Sequence, residues 1–549
     1  MSEVPHGVKT KQGANMAKME KSALPGGHNL EDFACFGPAA TTDGEFENAC
    51  LADLGCFNQE GVDSNKYVHA SVAQSKKNSK WFLYTEWGRT GAKNPQFQFE
   101  EFNSKDEAQK ALASYAHSKN DKRGIFKTIA GIKTLVAKPG KDVYKIQKLQ
   151  SRTAGLPDAK NITSNAGLKT EKLTAQAKPG ISRARQVDPI TARLLSDLAV
   201  GTVSYARSTL EGGNIPTQAA IDEGREILLA AQKRLAIVGD DAIAQIKDKQ
   251  IKLLTYELYS RIPKKKALRI ADAEWILNKD NILAWGLDFD AFESAIYSDT
   301  SVAEQESNPY GDLPVTMNWL DPKSDLGKFI YDWMPTATAN RHSIGGLEIK
   351  NVWKVERQGD EEIFAQGQNN CIANALERPP FQPARRTDLS TNVLKKHLST
   401  NTALLCHGTR SVNVSGILRT MLKNPKELKG VKLSGAAFGV ATGYFADDFK
   451  KSAGYTSMPG SYYTSGNGGI PGRGAFMFLM DVALGNPWVA PYADSYNGPP
   501  KGFHSIFGKA NHQYNTGPAK CTSVLQNNEW IIFDRKQILV KYLVEFLIK

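Results

Sequence analysis

The chain has 549 residues and a formal charge of +12, with 41% apolar and 23% charged residues. At about 150 residues per domain this length predicts roughly three or four units, and the apolar content excludes a mainly disordered chain. Neither a membrane-length apolar run nor an apolar leader is present, and six scattered cysteines without a C-x-x-C pair argue against a disulfide scaffold or structural zinc, so a soluble intracellular protein with reduced thiols, no metal and no membrane partner is expected.

Residues 1–45, rich in Gly, Ala, Lys and Thr without periodicity, predict a flexible tail. The segments "KYVHASVA", "KWFLYTEWGRTG" and "QFQFEEF" carry aromatic and β-branched residues at strand density, and "QSKKNS" and "GAKNP" between them are turn chemistry. A small antiparallel sheet follows from this. Ser104 is placed to cap a helix over "SKDEAQKALASYAHSK", with Ala108, Ala111, Leu112 and Tyr115 at helical spacing. Residues 103–185 hold 18 Lys/Arg against 6 Asp/Glu, a surplus equal to the whole net charge. Since each lysine near a phosphate releases counterions, a polyanion is the natural partner. From 137 to 182 Gly, Pro, Asn and Lys recur without a face, which predicts a basic linker. Residues 183–300 change to a period of 3.6: Ile190, Leu194 and Leu198 form one stripe, Ile221, Leu228, Ala231 and Leu235 a second, and Ile251, Leu254, Leu258 and Ile262 a third. Breaks at "EGGNIPT" and "VGDD" divide the pattern into an all-α bundle. Past "SNPYGDLP", the segments "LEIKNVWKVER", "TALLCHGTR", "RGAFMFLMDVALG", "NEWIIFD" and "ILVKYLVEFLIK" predict a β-rich, mostly antiparallel terminal domain, making the whole an α+β multidomain chain.

Common nucleotide and hydrolase signatures are missing. "SGNGGIPGRG" has neither the GxGxxG register nor a GK[ST], and HExxH and GxSxG do not occur. Three segments remain: "LLCHGTRSVNVSGIL", "TGYFADDFKKSAGYTS" and "QNNEWIIFD". Singly, His407 reads as a core histidine, Tyr444 and Tyr455 as packing aromatics, and Glu529 as a surface acid. Together and in this order they resemble the His-Tyr-Glu signature of the poly(ADP-ribose) polymerases, and "WKVERQGD", "DVALGN" and "PKGFHS" resemble further segments of that family's catalytic domain. "WFLYTEWGRTG" resembles the WGR domain, and residues 183–300, down to "LTYELYSRIPKKK", resemble the helical regulatory domain. Two departures stand out: "FGVATGYFAD" is one residue longer than the family's usual approach to its tyrosine, and Cys406 stands where well-known members carry tryptophan.

The resemblance implies a WGR domain at 46–136, the linker at 137–182, a helical regulatory domain at 183–300 and an ADP-ribosyltransferase catalytic domain at 310–549, without zinc-finger cysteines ahead of the WGR unit. It implies a transferase using NAD as substrate, whose glycosidic bond breaks through an oxocarbenium-like state. In that reading His407 bonds the ribose hydroxyls, Tyr444 and Tyr455 offer ring faces to the cationic nicotinamide, and Gly408 and Ser452 hold the carboxamide. Glu529 accepts from the nicotinamide ribose and polarises the acceptor, Thr409 and Asn413 lie toward the adenosine half, and Lys451 toward the acceptor. Trp87 stacks on a terminal nucleotide sugar and Arg89 reaches phosphate, with Lys93, Lys119, Lys122 and Arg123 as phosphate neighbours. DNA strand breaks or ends, acceptor proteins and the chain itself are the implied partners, in a DNA-damage response, in the nucleus of a eukaryotic host. Transfer of single ADP-ribose units, plain NAD hydrolysis, and a DNA-end scaffold with a silent transferase domain stand as alternatives.

Overall fold

A computed structural model describes residues 9–10, 33–35, 51–58, 64–75, 78–89, 96–119, 123–147, 187–210, 215–239, 241–264, 275–301, 313–336, 344–371, 396–423, 438–439, 441–490, 492–494, 496–510, 513–514, 521–522 and 525–549. The chain divides into two compact units, residues 1–182 with 207–282, and residues 183–206 with 283–549.

The first unit is built on a seven-stranded antiparallel sheet of β1 (Lys9–Thr10), β2 (Phe33–Cys35), β3 (Leu51–Asn58), β4 (Ser64–Ser75), β5 (Trp81–Arg89), β6 (Gln96–Phe102) and β9 (Lys145–Ile146). The order is β1-β6-β5-β4-β3-β9, with β2 beside β4. Helix α1 (Lys105–Ser118) starts where the sequence places it, because the Ser104 hydroxyl accepts from the Glu107 amide at 3.2 Å. It buries Ala108, Leu112 and Ala116 against Val68, Ala70, Val72 and Leu83. A hairpin, β7 (Gly124–Ile129) and β8 (Ile132–Ala137), turns through Ala130 and Gly131, both at positive φ. Strands β1 and β2 fall within the stretch expected to be a tail, and β8 and β9 run into the expected linker; of the rest of that linker, residues 148–182 lie outside the described ones.

Among the described residues five helices follow: α2 (Pro189–Thr209), α3 (Gln218–Val238), α4 (Ala242–Lys247), α5 (Lys249–Arg261) and α6 (Lys279–Ser301). Thr217 caps α3 and Asp248 caps α5, and both helices bury the stripes that periodicity marks except at Leu235, which is half-buried. Within the first unit Glu257 of α5 gathers a charged cluster: it pairs with Lys145 at 2.7 Å and Arg261 at 2.7 Å, and accepts from the Thr134 hydroxyl, while Arg261 also reaches Glu223 at 2.6 Å. Burial would raise the Glu257 pKa, yet Lys145 and Arg261 hold it below the ordinary carboxylate value. Lys145 is therefore a structural cation rather than a solvated linker charge.

The second unit contains α2 up to residue 206, α6 from residue 283, and the strand-rich remainder. Sequence periodicity alone treats 183–300 as one domain; the contacts divide it, because Leu194, Leu195 and Leu198 of α2 join a core with Val315, Leu405, Phe478 and Trp530. In chain order come β10 (Val315–Trp319), α7 (Asp325–Trp333), β11 (Leu347–Arg357), α8 (Asp360–Asn370), β12 (Thr402–Gly408), α9 (Val414–Thr420), β13 (Gly443–Phe445), α10 (Phe449–Ala453), β14 (Ala475–Ala483), β15 (Pro487–Val489), β16 (Ser505–Gly508), β17 (Gln513–Tyr514), β18 (Cys521–Thr522), β19 (Glu529–Ile532) and β20 (Ile538–Ile548). A five-stranded antiparallel sheet, β10-β11-β20-β14-β12, lies beside a four-stranded one, β13-β19-β16-β15, in which only β15 and β16 run parallel. Strand β14 is buried along its whole length, which is why "AFMFLMDVA" shows no alternation. The two sheets are stitched by a bridge between Cys406 and Ala446, each amide donating to the other's carbonyl at 3.0 Å. That bridge brings the end of β12 to the end of β13, and the Phe445–Trp530 pairing brings β19 alongside. Among the described residues no helix is long and apolar enough to cross a membrane.

Candidate active site

The strand ends that the bridge brings together wall a cavity of about 220 Å³ in the second unit. His407, Gly408, Thr409, Asn413, Tyr444, Lys451, Ser452, Tyr455 and Glu529 all line it. Residues 122 apart in the chain, His407 and Glu529, thus share one space because β12, β13 and β19 converge.

His407 Nδ1 lies 3.0 Å from the Tyr444 carbonyl oxygen. A carbonyl can only accept, so Nδ1 carries the proton and Nε2 keeps its lone pair. Burial pushes the imidazole below its ordinary 6.5, outweighing that hydrogen bond, and the ring is neutral at physiological pH. The Tyr444 hydroxyl donates to the Gly439 carbonyl at 2.6 Å and accepts from the Phe438 amide at 3.1 Å, which fixes the ring. Burial pushes its pKa up, so the phenol stays protonated. At Gly408 any β-carbon would collide with the Ser452 carbonyl, so only glycine lets the strand end approach α10 this closely.

Helix α10 is capped by Asp448, which accepts from the Lys450 and Lys451 amides, and it carries Lys451 and Ser452 into the cavity wall. Ser452 Oγ lies 3.0 Å from the Cys406 sulfur, a thiol that burial pushes up to about 12. Lys451 Nζ sits 3.1 Å from the Glu529 carboxylate and donates to the Asn528 carbonyl at 3.2 Å. Burial lowers the lysine's pKa and Glu529 opposes the shift. Asn528 is itself held, its amide donating to Asp447 at 2.9 Å and its oxygen accepting from the Ala510 amide at 3.1 Å. Tyr455 stacks on Tyr463 with ring centres 4.1 Å apart. The cavity therefore offers flat aromatic walls, a neutral imidazole acceptor, a hydroxyl and an anchored carboxylate. Such a set can orient a planar ring joined to a sugar and stabilise positive charge on that sugar.

Sequence reasoning assigned no role to Arg410, Lys423 or Tyr463, nor to Leu287, Asp290, Glu293 and Ser294 of α6, all of which line the same cavity. Glu293 pairs with Lys423 at 2.5 Å. Arg410 reaches Asp288 at 3.5 Å, the Tyr205 hydroxyl at 3.0 Å and the Leu287 carbonyl. The spacing of 287, 290 and 294 marks one helix face, but nothing local says what that face meets.

In the first unit Trp87 is half-buried, and its indole N–H donates to Gln96 at 2.7 Å. The Lys119 ammonium lies 4.3 Å from the Tyr115 ring centre and 6.0 Å from that of Trp87. Burial, and after it the charge of Arg123, lowers the Lys119 pKa. Arg89 and Arg123 are exposed. Lys93 and Lys122 lie outside the described residues. Among the described residues no group of three or more His, Cys, Asp or Glu is arranged to hold a metal ion.

Residues 330–548 match the model of the poly(ADP-ribose) polymerase catalytic domain, and residues 56–124 match the WGR domain. The chain is 22% identical to poly(ADP-ribose) polymerase 1 of Xenopus laevis over 98% of its own length and 50% of the relative's. It is 23% identical to poly(ADP-ribose) polymerase 2-A of Oryza sativa subsp. japonica, over 88% of this chain and 68% of that one, and 23% identical to poly(ADP-ribose) polymerase 2 of Arabidopsis thaliana, over 89% and 72%. It spans half the length of the Xenopus relative and less of the poly(ADP-ribose) polymerase 1 of Gallus gallus, 43%. The chain thus contains a poly(ADP-ribose) polymerase catalytic domain, which supplies most of the cavity wall, and a WGR domain ahead of it.

Proposed function

We propose that the chain transfers ADP-ribose from NAD to proteins, itself included, and extends the product into poly(ADP-ribose) when its WGR domain engages DNA ends or breaks. The observation that carries this reading is the convergence of His407, Tyr444, Tyr455 and Glu529 on one cavity. Tyr455 and Tyr444 flank the nicotinamide ring, where cation–π attraction contributes about 0.5–2 kcal/mol. Gly408 and Ser452 hold the carboxamide, and the lone pair of His407 Nε2 accepts from a ribose hydroxyl. Thr409 and Asn413 face the adenosine half. As the glycosidic bond breaks, its electron pair goes to the nicotinamide nitrogen and positive charge grows on the ribose. Glu529 stabilises that charge through the ribose hydroxyl and orients the acceptor hydroxyl, whose oxygen forms the new bond as its proton leaves. Lys451 holds the carboxylate in place.

Helix α6 supports a gate. Its acids Asp290 and Glu293 occupy the cavity wall, and Glu293 and Asp288 engage Lys423 and Arg410. A helix so placed competes with an anionic dinucleotide for the same cations. DNA then activates by binding the open arrangement more tightly than the closed one. Trp87, Lys119, Arg89 and Arg123, with Lys93 and Lys122, form the nucleic-acid side, consistent with stacking plus charge. Labelled NAD, with and without nicked duplex, tests the whole reading. Ladders on a denaturing gel that require the duplex support it; single added units, free ADP-ribose alone, or no turnover replace it with transfer of one unit, hydrolysis, or a silent scaffold.

A further inference from the structure

Three aromatic rings lead outward from the cavity. Tyr455 stacks face to face on Tyr463, centres 4.1 Å apart and planes within 14°, and Tyr462 packs edge-on against Tyr463 at 4.8 Å and 84°. Tyr463 is 46% exposed and lines the cavity, whereas Tyr462 is 85% exposed and lies outside it. Both belong to the glycine-rich stretch "MPGSYYTSGNGGIPGRG", which matches no phosphate-binding pattern.

The stretch is pinned. The Tyr463 amide donates to the Gly454 carbonyl at 3.2 Å, the Thr464 hydroxyl to the Thr456 carbonyl at 2.6 Å, and the Ser457 hydroxyl to the Asn467 carbonyl at 3.0 Å. The Val412 amide donates to the Gly468 carbonyl at 3.1 Å. Gly468 has φ +74, and a β-carbon there would press on the Val412 and Arg410 side chains at 3.0–3.1 Å. Two exposed tyrosines are thus held on a fixed support, contiguous with a ring that faces the reaction centre.

We propose that Tyr462 and Tyr463 form an acceptor-side shelf that stacks the adenine of the last ADP-ribose unit of a growing chain. The inference rests on the polymer-forming reading above. The donor is accounted for inside the cavity, with its nicotinamide against Tyr455 and its adenosine half toward Thr409 and Asn413. Tyr462 lies beyond that envelope. What arrives from solvent is the acceptor, and only an elongating acceptor brings a flat purine, whose face stacks on any aromatic ring. The shelf starts in the same cavity as the carboxylate that orients the acceptor, since Glu529, Tyr455 and Tyr463 all line it.

The test uses the full chain with nicked duplex and labelled NAD, scoring chain length against the number of chains started. Tyr462→Ala is expected to shorten chains about fivefold, in line with the loss of one stacking face. Tyr462→Phe and Tyr462→Trp keep that face and should give wild-type lengths. Wild-type lengths from Tyr462→Ala overturn the shelf and leave the polymer reading intact. A raised KM for NAD in Tyr462→Ala assigns the ring to the donor and also overturns it. Single units from the wild-type chain reject the polymer reading itself, and the shelf with it, before any variant is made.

Discussion

In the proposed function Glu529 and His407 set the chemistry at the residue scale, and each yields a measurable consequence. Glu529→Gln keeps size and hydrogen bonding but removes the charge that offsets a developing cation, so chain extension should fall by roughly a hundredfold or more, as when an electrostatic stabiliser of a transition state is lost. Gel analysis of labelled product checks this. His407 has a folded pKa below the free value of 6.5. Below about pH 6.5 the unfolded chain therefore takes up a proton that the folded chain refuses, so stability from the neutral ring is complete above that value and is lost as pH falls toward the folded pKa. Melting curves between about pH 7.5 and 5.5 should show a larger loss of Tm for the wild-type chain than for His407→Asn; equal losses would contradict it. At this scale the gathering of His407, Gly408, Tyr444, Ser452, Tyr455 and Glu529 in one cavity was legible because each sits inside a short signature. Lys423, Glu293 and Tyr463 were not, because each takes its meaning from a neighbour that is not next to it in the chain: Glu293 for Lys423, and the ring of Tyr455 for Tyr463.

Helices α5 and α6 carry the next level. Glu257 is 2% exposed by side chain and holds Lys145 and Arg261, so Glu257→Ala takes a counter-charge from the enclosed Lys145 and one of two from Arg261, which keeps Glu223. A loss of about 3–5 kcal/mol is expected, read as a lower denaturation midpoint of the first unit. Glu257→Gln should recover part of it through the Thr134 hydrogen bond. On α6, Glu293→Ala removes the partner of Lys423 and should raise the rate without DNA by at least about fivefold, corresponding to about 1 kcal/mol less closure. No change in that rate would show that the pair does not hold the helix down. Periodicity found the helices, since stripes such as Ile251, Leu254 and Leu258 are what α5 buries. It could not divide them, because a stripe of leucines looks the same whether it packs on helices or, as Leu194 and Leu198 do, on strands of the catalytic domain.

The whole molecule is strongly basic in one stretch, and the DNA half of the account lives there. Residues 103–185 carry the entire surplus charge, and within it Lys119 stands 6.0 Å from the Trp87 ring centre, with the charge of Arg123 acting on Lys119. Affinity for nicked duplex should fall steeply as salt rises, by a logarithmic slope of about 0.9 for each phosphate neutralised, and Arg89→Ala should flatten that slope by about one contact. The order of the WGR and catalytic domains was readable from motif, whereas the unit boundaries at 206/207 and 282/283 were not, because they fall within the continuous helices α2 and α6, where no turn or glycine-rich break marks them. The central claim, that one cavity gathers an imidazole, two phenol rings and a carboxylate around NAD, is tested most directly by incubating wild-type chain and Glu529→Gln with labelled NAD and nicked duplex. The account predicts labelled ladders from the wild-type chain and their loss in the variant. Ladders of equal length and amount from both proteins, or no label on the wild-type chain, would contradict it.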